Sequence, residues 1–380
     1  MPRTGTTTIT TTTSNGSRAQ ADATPLAGSG GQDPVVAVDA NGADLGAAEV
    51  AAGAREAAAR GARVLLFGPA DQLGEPPPGV EVVDAPVSIA KTDDPVRAAR
   101  TTPQASIVQA ARAVAEGRAQ ALVCAGGTGA ALAAGTFNIK RDRGIYRPAL
   151  ALPLPVPGSP VTLLDVGASA EARREHIVQF AFMGAALARI VLGLPMPRVG
   201  LLSNGEEAGR GAPLVLEAGA ELRERCSGAA ERFDAFEFVG NVEGDDLLGG
   251  RADVVVTDGF TGNIALKVLE GTSQVLLRAI RDAATSSPRA KAGGLLLRPS
   301  LAGLRDEIDP EAAGGAYLLG LRRLGVVPHG RFTRRGFAQA ILRARLGAAQ
   351  DIVGQTHRAL EEAGALRRPP ASAADASLRR

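Results

Sequence analysis

AQALVCAGGTGAALAAGTFNI, residues 119–139, is an uncharged stretch whose apolar character is interrupted at its centre by glycines. Its length would suit a membrane span, but central glycines and polar side chains argue against one. The pattern predicts a buried strand over Ala121–Cys124, a glycine-rich turn over Ala125–Gly129 and then an alanine-rich helix. Free N–H groups at such a helix start attract anions. The stretch therefore predicts either a phosphate cradle or a tight helix-on-sheet turn.

The composition limits the classes of protein that the chain can represent. Its 380 residues are 45% apolar and 22% charged, and the net charge is +2. This balance argues against nucleic-acid binding through a basic surface. The two cysteines, Cys124 and Cys226, and three histidines form neither a disulfide framework nor a metal-ligand cluster. We therefore expect no metal and no cofactor, and a reducing, cytoplasmic compartment.

The chain divides into three parts by composition. Residues 1–33 are rich in Thr, Gly and Ser and are expected to form a disordered tail. Residues 34–350 are expected to form one α/β domain, with a basic helical hairpin at about 275–310. Residues 351–380 are expected to contain a C-terminal helix followed by a second disordered tail.

Short strands rich in Val and Leu alternate with helices through the central part. The pattern predicts, among others, a single strand closing residues 148–164, a strand over Arg198–Leu202 and a helix over Ile264–Ile280. This order predicts a three-layer α/β fold with a mostly parallel sheet covered by helices on both faces. Because ligands bind beyond the carboxyl ends of parallel strands, we expect the polar loops that follow these strands to converge on one crevice. These loops are Asp39–Asp44, Asp165–Ser169, Ser203–Gly211, Gly240–Asp246 and Thr257–Asn263.

One long motif carries a resemblance to a known family. Residues 253–267 read DVVVTDGFTGNIALK and resemble the bacterial phosphate acyltransferase family over their whole length. Further segments agree with that family in order and spacing: Val36–Asp39, Tyr146–Ala149, Gln179–Gly184, Gly240–Gly244, Gly314–Gly320 and His329–Gly330.

The resemblance covers roughly residues 34–346 and implies a function. The family transfers a fatty acyl group from acyl carrier protein to inorganic phosphate, giving acyl phosphate for phospholipid synthesis. It further implies an isopropylmalate-dehydrogenase-like fold, a homodimer, peripheral contact with the cytoplasmic face of the membrane, and a downstream glycerol-phosphate acyltransferase.

The chain departs from the family inside the polar loops. The family usually has Met-Gly-Gly-Asp at Asn41–Asp44, Asn at Gly127 and Ser169, Asn-Ile at Ser203–Asn204, and Lys at Arg210. These changes keep two alternatives open: a weakened homologue acting as a carrier-binding scaffold, and an acyl-CoA:phosphate transferase. A dehydrogenase of the related fold is a third, although neither a nucleotide fingerprint nor a metal-binding carboxylate set is present.

Transfer of an acyl group to phosphate mainly requires positioning and stabilisation of a tetrahedral oxyanion. We therefore look for backbone N–H groups, hydroxyls and cations, and expect most carboxylates to orient loops because they would repel phosphate directly. The candidate catalytic residues are Lys267, Asp258, Asn263 and His329. The candidate phosphate- and substrate-binding residues are Asp39, Asn41, Gly42, Asp44, Gly126, Gly127, Thr128, Gly129, Asp165, Ser169, Ser203, Glu206, Arg210, Thr261 and Gly262.

Several residues also fit plainer roles. Lys267 lies in a predicted helix and also fits a solvated face, and His329 also fits a turn. Cys124 in an apolar strand fits an inert core residue better than a nucleophile. Two basic clusters could receive a carrier protein. The first, Arg278–Arg305, equally fits membrane contact or dimer packing; the second comprises Arg322, Arg323, Arg331, Arg334 and Arg335.

Overall fold

A computed structural model describes residues 33–156, 160–227 and 235–367 of the chain. Within the helix Pro288–Glu307 the side chains of residues 298–302 and 304–306 are outside this description. Residues 1–32 of the tail predicted at residues 1–33, and residues 368–380 at the other end, also lie outside the described residues, whereas Asp33 is described and pairs with Arg345 at 2.8 Å.

The described strands form one sheet, and each is short and rich in Val, Leu or Ala. They are β1 Val35–Asp39, β2 Arg63–Gly68, β3 Val80–Asp84, β4 Ala121–Cys124, β5 Ala149–Leu154, β6 Val161–Leu164, β7 Arg198–Leu202, β8 Glu237–Val242, β9 Val254–Val256, β10 Ala316–Leu319 and β11 Leu324–Val327. Their order across the sheet is β3-β2-β1-β4-β11-β10-β5-β6-β9-β7-β8.

The helices connect these strands and cover the sheet. They are α1 Ala47–Ala59, α2 Ala70–Leu73, α3 Pro95–Thr101, α4 Ser106–Ala115, α5 Thr128–Ala134, α6 Arg174–Val191, α7 Pro213–Ser227, α8 Asp246–Gly249, α9 Gly259–Thr285, α10 Pro288–Glu307, α11 Pro310–Ala313, α12 Arg334–Ala349 and α13 Ile352–Glu362. Helix α5 continues without a break into a π-helical turn, Gly135–Ile139. Among the described helices, none is both long and apolar enough to cross a membrane.

Side chains on alternate positions of β1 separate into two hydrophobic cores. Val36 and Val38 belong to a core that also contains residues of α1, α6, α7, α12 and α13, whereas Ala37 belongs to the core on the other face, with residues of α4, α5 and the first part of α9. Successive residues of a strand point to opposite faces, so a strand buried on both faces lacks a polar side. The predicted three-layer architecture is therefore confirmed.

The sheet changes direction at its centre. Seven of the ten pairings between described strands are parallel, which confirms the mostly parallel prediction. However, β10 is antiparallel to both β11 and β5, and β5 is antiparallel to β6. As a result, β6, β7, β8 and β9 run opposite to β1, β2, β3, β4 and β11. The carboxyl ends of these two sets of strands therefore lie at opposite edges of the sheet, whereas the sequence predicted that the loops after the strands converge on one crevice.

Two segments explain why the sequence did not predict this reversal of strand direction. Residues 148–164 were expected to close on a single strand, but they form the antiparallel pair β5 and β6. Strands β10 and β11 are only four residues each; β10 follows two glycines and β11 contains one, so their apolar runs are too short to be distinguished by periodicity. By contrast, β4 and β7 match their predicted bounds.

Candidate functional site

Three loops at the carboxyl ends of β1, β4 and β11 meet backbone to backbone. We call residues 41–44, 125–130 and 328–331 the first loop group. Gly126 has φ +90°, and a Cβ added there would lie 2.9 Å from both the Gly330 Cα and the Gly42 carbonyl oxygen. The Asp44 N–H also donates to the Gly330 carbonyl oxygen at 2.8 Å. The structure therefore brings Gly42, Asp44 and Gly126 together with His329–Gly330, and no side chain fits between them.

Helix α5 begins at this group with unoccupied donors. Its N-cap is Gly127, which has no side chain to accept a hydrogen bond from the first turn. Within the described chain, the N–H groups of Thr128, Gly129 and Ala130 have no hydrogen-bond partner, and Thr128 and Gly129 are exposed. A helix start in this state carries a partial positive charge and donors directed outward, which is an arrangement that binds oxyanions.

Asp39 lies buried beneath the same loops. One of its oxygens accepts the Asn41 N–H at 3.1 Å, and the other lies 3.6 Å from the Cys124 sulfur. Burial raises the pKa of Asp39 to about 6, and hydrogen bonds from Ser106, Asn41 and Cys124 oppose that rise. Burial and the charge of Asp39 raise the pKa of the Cys124 thiol well above its usual range. The thiol therefore stays protonated, which supports its role as a core residue.

Asn41 stabilises the loops rather than facing solvent. Its side-chain amide donates to the Ala85 carbonyl oxygen at 3.0 Å and to the Ser106 hydroxyl at 2.9 Å. Both amide hydrogens are thereby used to tie the loop after β1 to the end of β3 and the start of α4. Asn41 is a positioning residue in this arrangement.

His329 is half-buried and neutral at physiological pH. Its Nδ1 accepts the Arg331 N–H at 3.2 Å, so the neutral ring carries its proton on Nε2. Burial lowers the pKa of His329, and so do the charges of Arg331 and Lys267, whereas Glu270 and Asp44 raise it. Because Lys267 and Glu270 belong to α9, this helix brings their charges within electrostatic reach of the first loop group.

Two lysines near this group have carboxylate neighbours. The Lys267 ammonium lies 2.9 Å from Glu270, and its side chain is 54% exposed. Lys91 lies 3.5 Å from Asp44 and is more exposed still. Exposed ion pairs of this kind are weak, so both ammonium groups can turn towards a bound anion. Lys91 was missed in the sequence because it follows no strand directly.

The loops after β6 and β9 form a second loop group, residues 165–169 and 257–263. Here the buried Asp165 carboxylate accepts four backbone N–H groups, from Leu150, Gly167, Ala168 and Ser169, at 2.8–3.1 Å. Burial raises the pKa of Asp165, and these four bonds oppose the rise. The carboxylate therefore holds the loop after β6 against the start of β5.

The N-terminus of α9, in the second loop group, is capped by the side chain of Asp258. Asp258 accepts the N–H groups of Phe260 and Thr261 at 3.0 and 2.9 Å and the Thr261 hydroxyl at 2.7 Å. The Gly262 N–H donates to the Asp258 carbonyl oxygen at 3.0 Å. The donors of Thr261 and Gly262 are thus already engaged, while the side chain of Asn263 is exposed beside Gly167.

This cap also moves the start of the helix. The sequence pattern placed the beginning of α9 near Ile264, but the helix begins at Gly259. Asp258 has extended backbone and accepts two N–H groups of the first turn, so it is the N-cap. The prediction of the start was wrong because the cap precedes a turn rich in Gly and Thr, which reads as a loop.

A third loop group follows β7 and is held by β8. Asn241 donates to the carbonyl oxygens of Glu207 and Arg210 at 2.8 and 3.0 Å, so it fixes the loop 203–211. Glu206 pairs with Arg251 at 2.5 Å, and the Arg210 side chain is mostly exposed near Glu207. Asn241 was missed as a positioning residue, although its motif Gly240–Gly244 had been recognised.

Ser203 stands in this loop where the related family usually has Asn. Its hydroxyl is shielded from solvent, and within the described residues it has no hydrogen-bond partner. A Cβ added at Gly211 would lie 2.7 Å from it, so the hydroxyl packs against backbone. The shorter side chain therefore leaves a polar group without a bond that a longer amide could form.

An open cavity adjoins the first loop group. Its volume is about 700 Å³, within the range of small-ligand sites. The loop Asn41–Ala43 forms one wall, and Ser88–Ile89 with Lys91–Thr92 forms part of the other. In the part of the chain that the structure describes, no group of three His, Cys, Asp or Glu side chains could hold a metal ion.

Comparison of the sequence with known proteins identifies the family of the chain. The family described as fatty acid synthesis protein matches residues 35–354. The phosphate acyltransferase of Thermobifida fusca is 41% identical over 343 residues, which cover 88% of this chain and 93% of that protein. The phosphate acyltransferase of a Geobacillus species is 40% identical over 333 residues, covering 86% of this chain and 98% of that protein.

Solved structures agree on the fold. A phosphotransacetylase from Streptococcus pyogenes has a TM-score of 0.56 at 16% identity and covers 84% of this chain and 95% of its own. The EutD phosphotransacetylase from Staphylococcus aureus has a TM-score of 0.54 at 16% identity, covering 83% and 94%. With a matching family over most of its length and these relatives, the chain belongs to the fatty acid synthesis protein family and is a transferase of the phosphate acyltransferase type.

Proposed function

We propose that the protein transfers a long-chain fatty acyl group from the thioester of acyl carrier protein to inorganic phosphate, giving acyl phosphate and free carrier. The names of its relatives support acyl transfer to phosphate. The observation that carries the proposal is the start of α5, where three N–H groups remain unoccupied in a turn closed to side chains. Such a site suits a small oxyanion.

In the proposed reaction, a phosphate oxygen attacks the thioester carbonyl carbon and forms a tetrahedral oxyanion. Collapse of this intermediate breaks the C–S bond, and the carrier thiolate leaves and later takes a proton from water. The N–H groups of Thr128 and Gly129 hold the phosphate, and Lys267 offsets its charge. The Nε2–H of His329 is the donor that would stabilise the tetrahedral oxyanion. Preorganised donors of this kind usually make the largest single contribution to lowering the barrier.

The first experiment is a single-turnover incubation of the purified protein with palmitoyl-acyl carrier protein and phosphate. We expect carrier thiol to be released only when phosphate is present, together with acyl phosphate. A parallel reaction with palmitoyl-CoA tests the alternative donor. A folded protein that binds carrier but releases no thiol would contradict the proposed reaction and favour a carrier-binding scaffold.

A matched pair of glycine variants tests the place of the anion. Gly126 and Gly117 have similar φ values of +90° and +82°, but only at Gly126 would an added Cβ meet other loops. Gly126→Ala is expected to remove most phosphate-dependent turnover because it separates the loops. Gly117→Ala carries the same backbone strain and should keep turnover. Equal activity of the two variants would place the anion elsewhere.

We also propose that the protein is a homodimer with peripheral contact to the cytoplasmic face of the membrane, where a downstream glycerol-phosphate acyltransferase receives its product. Large apolar side chains on α9 and α10 support this proposal: Leu276 and Leu296 are 58% and 83% exposed. Exposed apolar surface of this kind marks contact with a protein or a membrane. Leu296→Asp should lower binding to anionic vesicles if α10 contacts lipid. Light scattering should report the mass of a dimer.

A further inference from the structure

A basic patch forms where the turn between β10 and β11 meets the segment that follows α5. These two segments are distant in sequence but joined by backbone contacts. The Arg322 N–H donates to the Lys140 carbonyl oxygen, and the Asp142 N–H donates to the Gly320 carbonyl oxygen, both at 3.0 Å. Arg141 and Leu321 form an antiparallel bridge. We call the resulting set of six cations the basic patch: Lys140, Arg141, Arg143, Arg147, Arg322 and Arg323.

The patch corrects the second basic cluster inferred from the sequence. Strand β11 separates Arg322 and Arg323, which precede it, from the arginines that follow it. Arg334 pairs with Glu49 at 2.9 Å and Arg335 with Asp309 at 3.1 Å, so these two are balanced. The five arginines therefore do not act as one surface.

The six cations of the basic patch keep their charge unbalanced. All are exposed, and none makes an ion pair with another described residue. The one carboxylate within these two segments, Asp142, is bonded to the His357 ring at 2.7 Å. In a chain whose net charge is +2, these six cations form a local excess of positive charge. Clustered unpaired cations steer an acidic partner towards them.

The partner is better matched by a protein than by a membrane. None of the large exposed apolar side chains of the described chain lies in the basic patch; they lie elsewhere, notably on α9 and α10. Stable binding of a surface to lipid normally combines basic with apolar side chains, and here the apolar component is missing. An acidic protein needs only the charges.

The position of the patch suits a partner that presents a flexible arm. Helix α5 starts at the open donors of the first loop group, and its π-helical continuation ends at Ile139, next to Lys140. Twelve helical residues span roughly 17 Å at about 1.5 Å per residue. An extended pantetheine arm reaches over such a distance, and a partner on the patch would leave the glycine turn uncovered.

We propose that the basic patch is the docking surface for the acidic carrier protein that delivers the acyl thioester, an inference that rests on the proposed function. The test compares Arg322→Glu/Arg323→Glu with Arg60→Glu/Arg63→Glu, a control with the same charge change at two exposed arginines. Binding of fluorescently labelled holo-acyl carrier protein is measured by anisotropy at low salt. We expect the patch variant to raise Kd about tenfold or more and the control to change it less than about twofold.

Kinetics separate docking from chemistry. The patch variant should raise the KM for palmitoyl-acyl carrier protein, while turnover of palmitoyl-CoA and the KM for phosphate stay unchanged. Circular dichroism and a melting curve check folding, and Arg143→Glu serves as a second variant if the double variant is unstable. If the wild-type protein transfers no acyl group, the binding result still decides the docking proposal.

Four outcomes would overturn the proposal. The first is an unchanged Kd in the patch variant, and the second is an equal loss in both variants, which would indicate nonspecific attraction. The third is release of the carrier by Arg278→Glu/Arg281→Glu on α9 instead, which would move docking to the helix pair. The fourth is a patch variant that loses binding to anionic phosphatidylglycerol vesicles but still binds the carrier, which would assign the patch to lipid.

Discussion

The starts of α5 and α9 look alike in sequence but differ in what they leave open. Each follows a buried strand after two or three residues, and Gly and Thr lie at both strand-to-helix junctions. At α5 the N-cap is Gly127, and the first N–H groups have no partner among the described residues. At α9 the carboxylate of Asp258 occupies two N–H groups and a hydroxyl. The first start can therefore receive an anion, whereas the second already holds its own.

The two buried carboxylates beneath these loops differ in the same way. Asp165 accepts four backbone N–H groups, whereas Asp39 accepts one backbone N–H and weaker side-chain donors. The second loop group is thus satisfied internally and rigid, and the first keeps unused hydrogen-bonding capacity. The difference indicates which loop group a ligand can complete, and four predictions test it.

The largest effect is expected at the tightest contact of the second loop group. A Cβ added at Gly262 would lie 1.9 Å from the Asp165 carbonyl oxygen, so Gly262→Ala must displace backbone. We expect the free energy of unfolding to fall by about 3 kcal/mol or more, measured by urea denaturation. Gly271→Ala in the same helix meets nothing within 4 Å and should stabilise by about 0.5–1 kcal/mol. Similar effects at both positions would show that the group is not rigid.

The second prediction concerns pH. The pKa of Asp39 rises from its ordinary value of 3.8 to about 6 on folding, so the folded state binds this proton more tightly than the unfolded state. Its contribution to stability therefore falls as pH rises from about 4 to about 6, by on the order of 3 kcal/mol. Asp39→Asn should remove this pH dependence. The free energy of unfolding of the variant, relative to that of the wild type, should therefore increase between pH 4.5 and pH 7.

Asp165→Asn provides the contrast for that measurement. An amide cannot accept all four N–H groups as the carboxylate does, so this variant should be less stable than the wild type at pH 7. Denaturation of both variants at several pH values gives the comparison. Stabilisation of Asp165→Asn at pH 7 would contradict the distinction between the two carboxylates.

The third prediction converts the start of α5 into a copy of the start of α9. Gly127→Asp places a carboxylate at the N-cap and should weaken binding of inorganic phosphate about tenfold, because like charges repel. Gly127→Ala adds the same Cβ, which would lie 3.1 Å from Ala90, but has neither a charge nor an acceptor that could cap the helix. It should retain phosphate affinity within about threefold. Calorimetric titration with phosphate decides, and equal affinities would argue against an anion at this turn.

The smallest effect is expected from the reverse change at α9. Asp258→Ala removes the N-cap and should cost about 1 kcal/mol of stability, measured by thermal unfolding. Phosphate affinity should be unchanged because the anion binds at α5. A large loss of phosphate binding in this variant would instead assign the site to the second loop group.

Much of the fold follows from local sequence. Strands β4 and β7 have the predicted bounds because a short apolar run between polar residues admits few alternatives. The alternation of strands and helices sufficed for the three-layer architecture. The start of α9 and the pair β10 and β11 were not predicted, since a cap before a Gly-Thr turn and four-residue strands carry little local signal.

The sequence by itself determined the element types, the glycine turn and the family, because these depend on neighbouring residues and on motifs. Only the tertiary structure decided which loops meet. The reversal of the sheet depends on Tyr317 pairing with Ala151, a contact between segments far apart in the chain. Likewise, Asp258 uses the donors at one helix start while those at Thr128 stay open, and Lys140 joins Arg322 in one patch. Hydrogen-bonding capacity and surface charge are properties of assembled neighbours, so no local pattern contains them.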